Sequence, residues 1–168
     1  LNRIVFHRDG GFDVSPLILS SENRHALQSS LMLFFTGFSR YASEIAQKQI
    51  DNFGHKKQEL QTLGQFADDA TSILQGTGEL ATNLGRLMHE SWELKRDLAD
   101  GVTTPEVDDI YEAGRKAGAL GGKLLGAGGG GFMVFVVKPE DQVKVKERLK
   151  HLIHVSFEFD SSGSKIAV

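Results

Sequence analysis

The chain contains no cysteine among its 168 residues. That excludes disulfides and thiolate metal sites and accords with a reducing, cytoplasmic setting. No apolar stretch reaches the roughly 18 residues that a membrane-spanning helix requires, and no signal peptide is visible. Net charge is −3 with no long basic run, so the electrostatic footprint of a nucleic-acid or anionic-membrane binder is missing. Six histidines, at 7, 25, 55, 89, 151 and 154, fall at no metal-ligand spacing. Two adjacent acid pairs, Asp68-Asp69 and Asp108-Asp109, lie in helical sequence. Neighbours on a helix point about 100° apart, so these read as solvated faces and not as shared carboxylate sites. What remains is 40% hydrophobic and 24% charged, the balance of a soluble globular chain long enough for one domain with a real core.

Glycine, by contrast, is plentiful and concentrated. Between Gly121 and Val137 it occupies 121, 122, 126, 128, 129, 130 and 131, and the apolar run Phe132–Val137 follows. A short apolar run bounded by glycine and then by Lys138-Pro139 reads as a buried strand, so the glycines form a loop joining two strands. The loop has no serine and core-like flanks, unlike a flexible linker. Gly126, Gly128 and Gly131 fit G-x-G-x-x-G by spacing, but that fingerprint must open a helix and this one opens a strand. No Lys-Ser or Lys-Thr follows the last glycine, so it is not a Walker A loop. Two readings stay open. The glycines allow close backbone packing, or they let successive N–H groups converge on an oxyanion, with Lys123 adding a point charge.

In chain order, Arg3–His7 and Phe12–Ser15 read as a hairpin around Asp9-Gly10-Gly11. Residues 20–29 are polar, a linker or short helix. Leu31–Thr36 is a buried strand, and Ser39 is a candidate cap for the helix whose face is Ala42, Ile45, Ala46, Gln49, Ile50 and Phe53. Further helices carry Leu60 to Leu74, Leu80 to Leu98 (with Trp92 as a packing residue) and, after Thr104-Pro105, Val107 to Ala117. Pro139 opens a last helix with Val143 and Leu149 as core candidates. Ile153, Val155, Phe157 and Phe159 alternate as a half-buried strand, and Lys165–Val168 is a candidate final strand. The implied fold is α+β: a split β-α-β-β-α-β (ferredoxin-like) arrangement with extra helices in the first crossover and the glycine loop as central hairpin.

The run Gly118–Phe132 resembles the third, glycine-rich motif of the GHMP kinases, the family of galactokinase, homoserine kinase, mevalonate kinase and phosphomevalonate kinase. Leu33–Arg40, Pro105–Asp108 and Gly163-Ser164-Lys165 are similar to the branch acting on D-glycero-D-manno-heptose phosphate. The resemblance covers only the C-terminal half of the family's pattern. It implies a C-terminal kinase domain over 28–168, with residues 1–20 as the tail of a preceding N-terminal domain. The chain begins at Leu1 inside a strand, which accords with a fragment of a longer polypeptide. The resemblance also implies an ATP-dependent sugar-phosphate kinase whose ATP and Mg sites and catalytic residue lie mainly in that N-terminal domain, so no catalytic residue and no metal ligand is expected here, and the chain alone is expected to be inactive. Its expected partners are a sugar phosphate and its own N-terminal domain. Phosphate or substrate contacts fall on Gly121, Gly122, Lys123, Gly126, Ala127, Gly128, Gly129, Gly130 and Gly131, with Thr36, Gly37 and Arg40 at a strand-to-helix junction. The rival readings are a non-catalytic α+β anion- or partner-binding module and a dimerisation domain.

Overall fold

A computed structural model describes residues 1–38 and 42–160. A hairpin of β1 (Asn2–Phe6) and β2 (Phe12–Pro16) precedes helix α1 (Ser21–Ser30). Strand β3 (Leu31–Phe35) follows directly. Four helices then intervene: α2 (Ala42–Asn52), α3 (Lys57–Gln75), α4 (Leu80–Arg96) and α5 (Pro105–Lys116). Strands β4 (Gly121–Leu124) and β5 (Phe132–Val136) flank the glycine loop, and a 3-10 turn leads through α6 (Gln142–Arg148) to β6 (Ile153–Val155).

The four later strands form one antiparallel sheet in the order β4-β5-β3-β6. This is the expected split arrangement, with the first crossover carrying the extra helices. The two central strands are the ones richest in apolar residues, as strands covered on both faces must be.

Alternation divides each strand between two faces. Met32, Phe34, Met133, Phe135 and Leu124 enter the main core with Trp92, Val107, Tyr111, Val145 and Leu149. Helix α5 comes close enough over this face that a Cβ on Gly114 would sit 2.6 Å from the Phe135 ring. On the other face Val136 packs with Leu27, Leu80 and Leu84, so α1 and α4 cover its β4 end. Toward the loop that cover runs out: Phe132 is 41% and its row neighbour Ile153 65% exposed.

Three expectations shift. Residues 21–30 are a helix, because the Ser20 hydroxyl caps the Asn23 N–H at 3.0 Å and Leu27 is buried. In α6, Val145 and Leu149 are buried while Val143 is 78% exposed. Positions 145 and 149 share a face, and 143 lies about 200° from 145. The last strand stops at Val155. Beyond it the Gln28 side chain takes over, donating to Phe157 O at 2.9 Å and accepting from Phe159 N at 2.8 Å. The candidate cap Ser39 and the candidate strand 165–168 lie outside the described residues.

Candidate functional site: the glycine loop

The two glycine clusters do different work. Gly121 and Gly122 are buried strand residues. A Cβ on Gly121 would lie 1.8 Å from Gly85 O on α4, and one on Gly122 would lie 2.4 Å from Val134 O. Their small size lets α4 and β5 approach. At both positions the neighbouring backbone occupies the space that a side chain would take.

Residues 125–131 form the loop proper, and four segments hold it. Lys95 Nζ, from the last turn of α4, donates to Gly126 O at 2.5 Å. Gln49 Nε2 on α2 donates to Ala127 O at 2.8 Å. Gly129 N donates to Val102 O at 3.0 Å, and Gly131 N to Phe38 O at 2.8 Å. Thr36 N donates to Gly131 O at 2.8 Å, and the Thr36 hydroxyl lies 3.0 Å from both polar backbone atoms of Gly131. Gly126, Gly128, Gly129, Gly130 and Gly131 all have positive φ. At Gly128 (φ 129°) the backbone of Val102 would also stand 2.6 Å from a Cβ, so only glycine fits.

The carbonyls of Gly126, Ala127 and Gly131 are thus taken up by protein donors. Among the described residues, the N–H groups of Gly126, Ala127, Gly128 and Gly130 have no acceptor. Gly126 and Gly131 border open space. Successive N–H groups without a protein acceptor are the kind of donor that an anion can use.

Lys123 sits beside this loop on β4, on the sheet face shared with Val134. Burial lowers the proton affinity of its ammonium. Lys95 is pushed down to about 8, chiefly by burial and then by the charge of Lys123. Neither lysine is ion-paired among the described residues. Lys95 and Gln49 escaped the sequence reading. Lys95 is 31 positions from Gly126, and only the packing of α4 on β4 brings the two together.

Of the strand-end candidates, Thr36 is buried and anchors the loop, and Gly37 is exposed with φ 87°. Arg40 lies outside the described residues. The acid pairs have structural partners: Asp68 with Arg3 at 2.6 Å, Asp69 with Gln65 at 3.1 Å, and Asp108 with Thr103 at 2.7 Å. Among the described residues no group of three or more His, Asp or Glu could hold a metal ion. The loop offers N–H donors and ammonium groups, which suit phosphate and do not suit Mg. A cavity of about 590 Å³ between α5, α6 and the end of β3 includes Phe38, Lys116, Arg148 and His151 but no loop residue.

Residues 78–154 match the family model described as GHMP kinases C terminal. D-glycero-alpha-D-manno-heptose 7-phosphate kinase of Campylobacter jejuni is 29% identical over 154 residues, covering 89% of this chain and 44% of that protein. Mevalonate kinase of Pyrococcus horikoshii is 37% identical over 94 residues, covering 54% of this chain and 27% of that protein. Among solved structures, L. major mevalonate kinase superposes with a TM-score of 0.71 at 22% identity, over 89% of this chain and 44% of that one. A D-glycero-D-manno-heptose 1-phosphate kinase from Bacteroides thetaiotaomicron gives 0.60 at 24% identity, over 94% and 42%. The chain therefore spans less than half the length of these relatives. The family model lies on α4, α5, the glycine hairpin and α6, so residues 78–154 are similar to the C-terminal domain of the GHMP kinases.

Proposed function

We propose that the chain is the C-terminal part of an ATP-dependent kinase that phosphorylates a sugar phosphate of the heptose class, in the cytoplasm. The observation that carries this reading is the loop of unclaimed N–H groups, braced from α2, α4 and β3 and flanked by Lys123. Phosphoryl transfer needs positioning and charge stabilisation more than covalent participation by the protein. Backbone dipoles fixed before the reaction supply that without reorganisation.

In this reading the N–H groups of Gly126, Ala127, Gly128 and Gly130 hold phosphoryl oxygens, while ATP, when bound, supplies the group transferred. Thr36, Gln49 and Val102 hold the loop, and Gly37 and Arg40 are proposed as substrate contacts. Mg and the group that activates the acceptor hydroxyl belong to an upstream domain, to which residues 1–20 are the tail. The chain alone is accordingly inactive.

The test is ATP consumption by the protein with its natural upstream sequence restored, assayed against heptose phosphates, other sugars and mevalonate, with the 168-residue chain in parallel. Turnover of a heptose phosphate by the extended protein alone is expected. Turnover by the short chain would overturn the division of labour. Mevalonate as the preferred acceptor would overturn the substrate class. Neither turnover nor nucleotide binding in the extended protein would favour a non-catalytic anion-binding module.

A further inference from the structure

The glycine loop is held in two different ways along its length. Its second half is tied to backbone, with Gly129 N donating to Val102 O at 3.0 Å and Gly131 N to Phe38 O at 2.8 Å. Its first half has no backbone partner among the described residues. Gly126 and Ala127 are hydrogen-bonded by side chains alone, Lys95 Nζ at Gly126 O (2.5 Å) and Gln49 Nε2 at Ala127 O (2.8 Å).

These two bonds do more than restrain position. A peptide is planar and trans, so its C=O and its N–H point in opposite directions. Holding Gly126 O turns the Ala127 N–H away from Lys95, and holding Ala127 O turns the Gly128 N–H away from Gln49. Among the described residues neither N–H has a protein acceptor. Each of the two peptides has glycine on one side, Gly126 at φ 79° or Gly128 at φ 129°. No Cβ confines the backbone angle there, so sterics select the peptide's orientation only weakly. The selection falls to the two side-chain donors.

The donors are themselves fixed. Gln49 Nε2 also donates to Ile45 O of its own helix at 3.4 Å, so both amide protons are engaged, and Ile45 is buried in the main core. One turn on, Asn52 Nδ2 donates to Leu98 O at 3.1 Å and ties α2 to the segment that follows α4. Lys95 stands in the last turn of α4, the helix whose Gly85 packs directly against Gly121 of β4. Groups that orient a site do so best from elements held in this way.

We infer that Gln49 and Lys95 are positioning residues, which set the orientation of the Gly126–Ala127 and Ala127–Gly128 peptides so that the Ala127 and Gly128 N–H groups are presented to the phosphoryl group that the loop binds. The orienting role stands on the hydrogen bonds; the identity of the ligand rests on the kinase reading.

The test compares the isotope-labelled 168-residue chain with Gln49→Met, Lys95→Met and Gln47→Met, the last removing an exposed donor of the same helix that bonds Asp51. Residual dipolar couplings report the directions of the N–H bonds, and titration with inorganic pyrophosphate reports affinity. Lys95→Met should move the Ala127 coupling and Gln49→Met the Gly128 coupling. Those of Gly129 and Gly131 should stay, because their backbone acceptors are intact. Gln49→Met changes no charge, so its expected loss of pyrophosphate affinity, roughly tenfold, reports orientation alone. Gln47→Met should match the parent in both measurements. Unmoved Ala127 and Gly128 couplings, a change spread through the whole loop, or moved couplings with parent-like pyrophosphate affinity in Gln49→Met would each overturn the proposal. The expected couplings in a chain whose parent form binds no pyrophosphate would leave the orienting role standing and remove the phosphate reading of the loop.

Discussion

Thr36 and Gly131 are joined three ways: N to O at 2.8 Å, hydroxyl to O at 3.0 Å, and Gly131 N to the hydroxyl at 3.0 Å. The end of β3 thereby fixes the end of the glycine loop, 95 positions away. Replacing Thr36 by Val keeps the volume and removes the hydroxyl. A buried hydrogen-bonding group lost in this way costs about 1–2 kcal/mol. We expect that loss in urea unfolding, with Thr36→Ser retaining most of the stability. An unchanged midpoint for Thr36→Val would show that the hydroxyl does not anchor the loop.

Gly128 and Gly126 separate strain from crowding. Gly128 has both a positive φ and the Val102 backbone within 2.6 Å of a Cβ, whereas Gly126 has φ 79° and open space. Gly128→Ala should lose at least about 2 kcal/mol, lowering Tm by roughly 4–8 °C in a chain of this size. Gly126→Asn, a residue that tolerates the left-handed region, should lose less than about 1 kcal/mol. Similar melting temperatures for the two variants would contradict the close approach at Val102.

Lys95 gives the chain a distinctive pH response. Its folded value of about 8 lies below the ordinary 10.5. Below pH 8 both folded and unfolded chains carry the proton, and the folded state bears the full cost of the buried charge. Between about 8 and 10.5 the unfolded chain binds more protons, so stability rises with pH. Lys123 shifts in the same direction. Urea midpoints measured across this window should rise more steeply in the parent chain than in Lys95→Met. Parallel profiles would mean that Lys95 titrates as a solvated lysine.

His89 Nδ1 and Tyr111 Oη share a hydrogen bond of 2.7 Å beside the buried Trp92. Burial pushes the Tyr111 hydroxyl up to about 12. Tyr111→Phe keeps the ring stacked on Phe135 and should cost about 1 kcal/mol, with the effect abolished in a His89→Ala background. Additive losses in that double-mutant cycle would show no coupling between the two.

The hairpin carries Ile4, Phe6, Phe12 and Val14 exposed on one face. Its ion pair from Arg3 to Asp68 on α3 is itself solvent-exposed and contributes at most about 1 kcal/mol. Phe6→Ser with Phe12→Ser should therefore leave the unfolding midpoint of the main domain unchanged and reduce self-association in light scattering. A lower midpoint would mean that the hairpin supports the core.

Periodicity and punctuation were enough to place the helices from α2 to α5, the glycine hairpin and the split β-α-β-β-α-β order. Those signals are local: apolar spacing, Thr104-Pro105 at a helix start, and glycines between two strands. Glycine density likewise marked residues 126–131 as a candidate anion site. The division of the glycines was not legible. Gly121 and Gly128 are the same residue type in one run, and only the nearness of Gly85 and Val102 decides what each is for. Nor could the phase of α6 be read, because a preceding 3-10 turn sets which valine faces inward. Lys95 reads in sequence as an ordinary basic residue at a helix C-terminus. Packing α4 across β4 sets it against Gly126 and beside Lys123, and a charge partly removed from water behaves according to those neighbours and not according to its place in the chain.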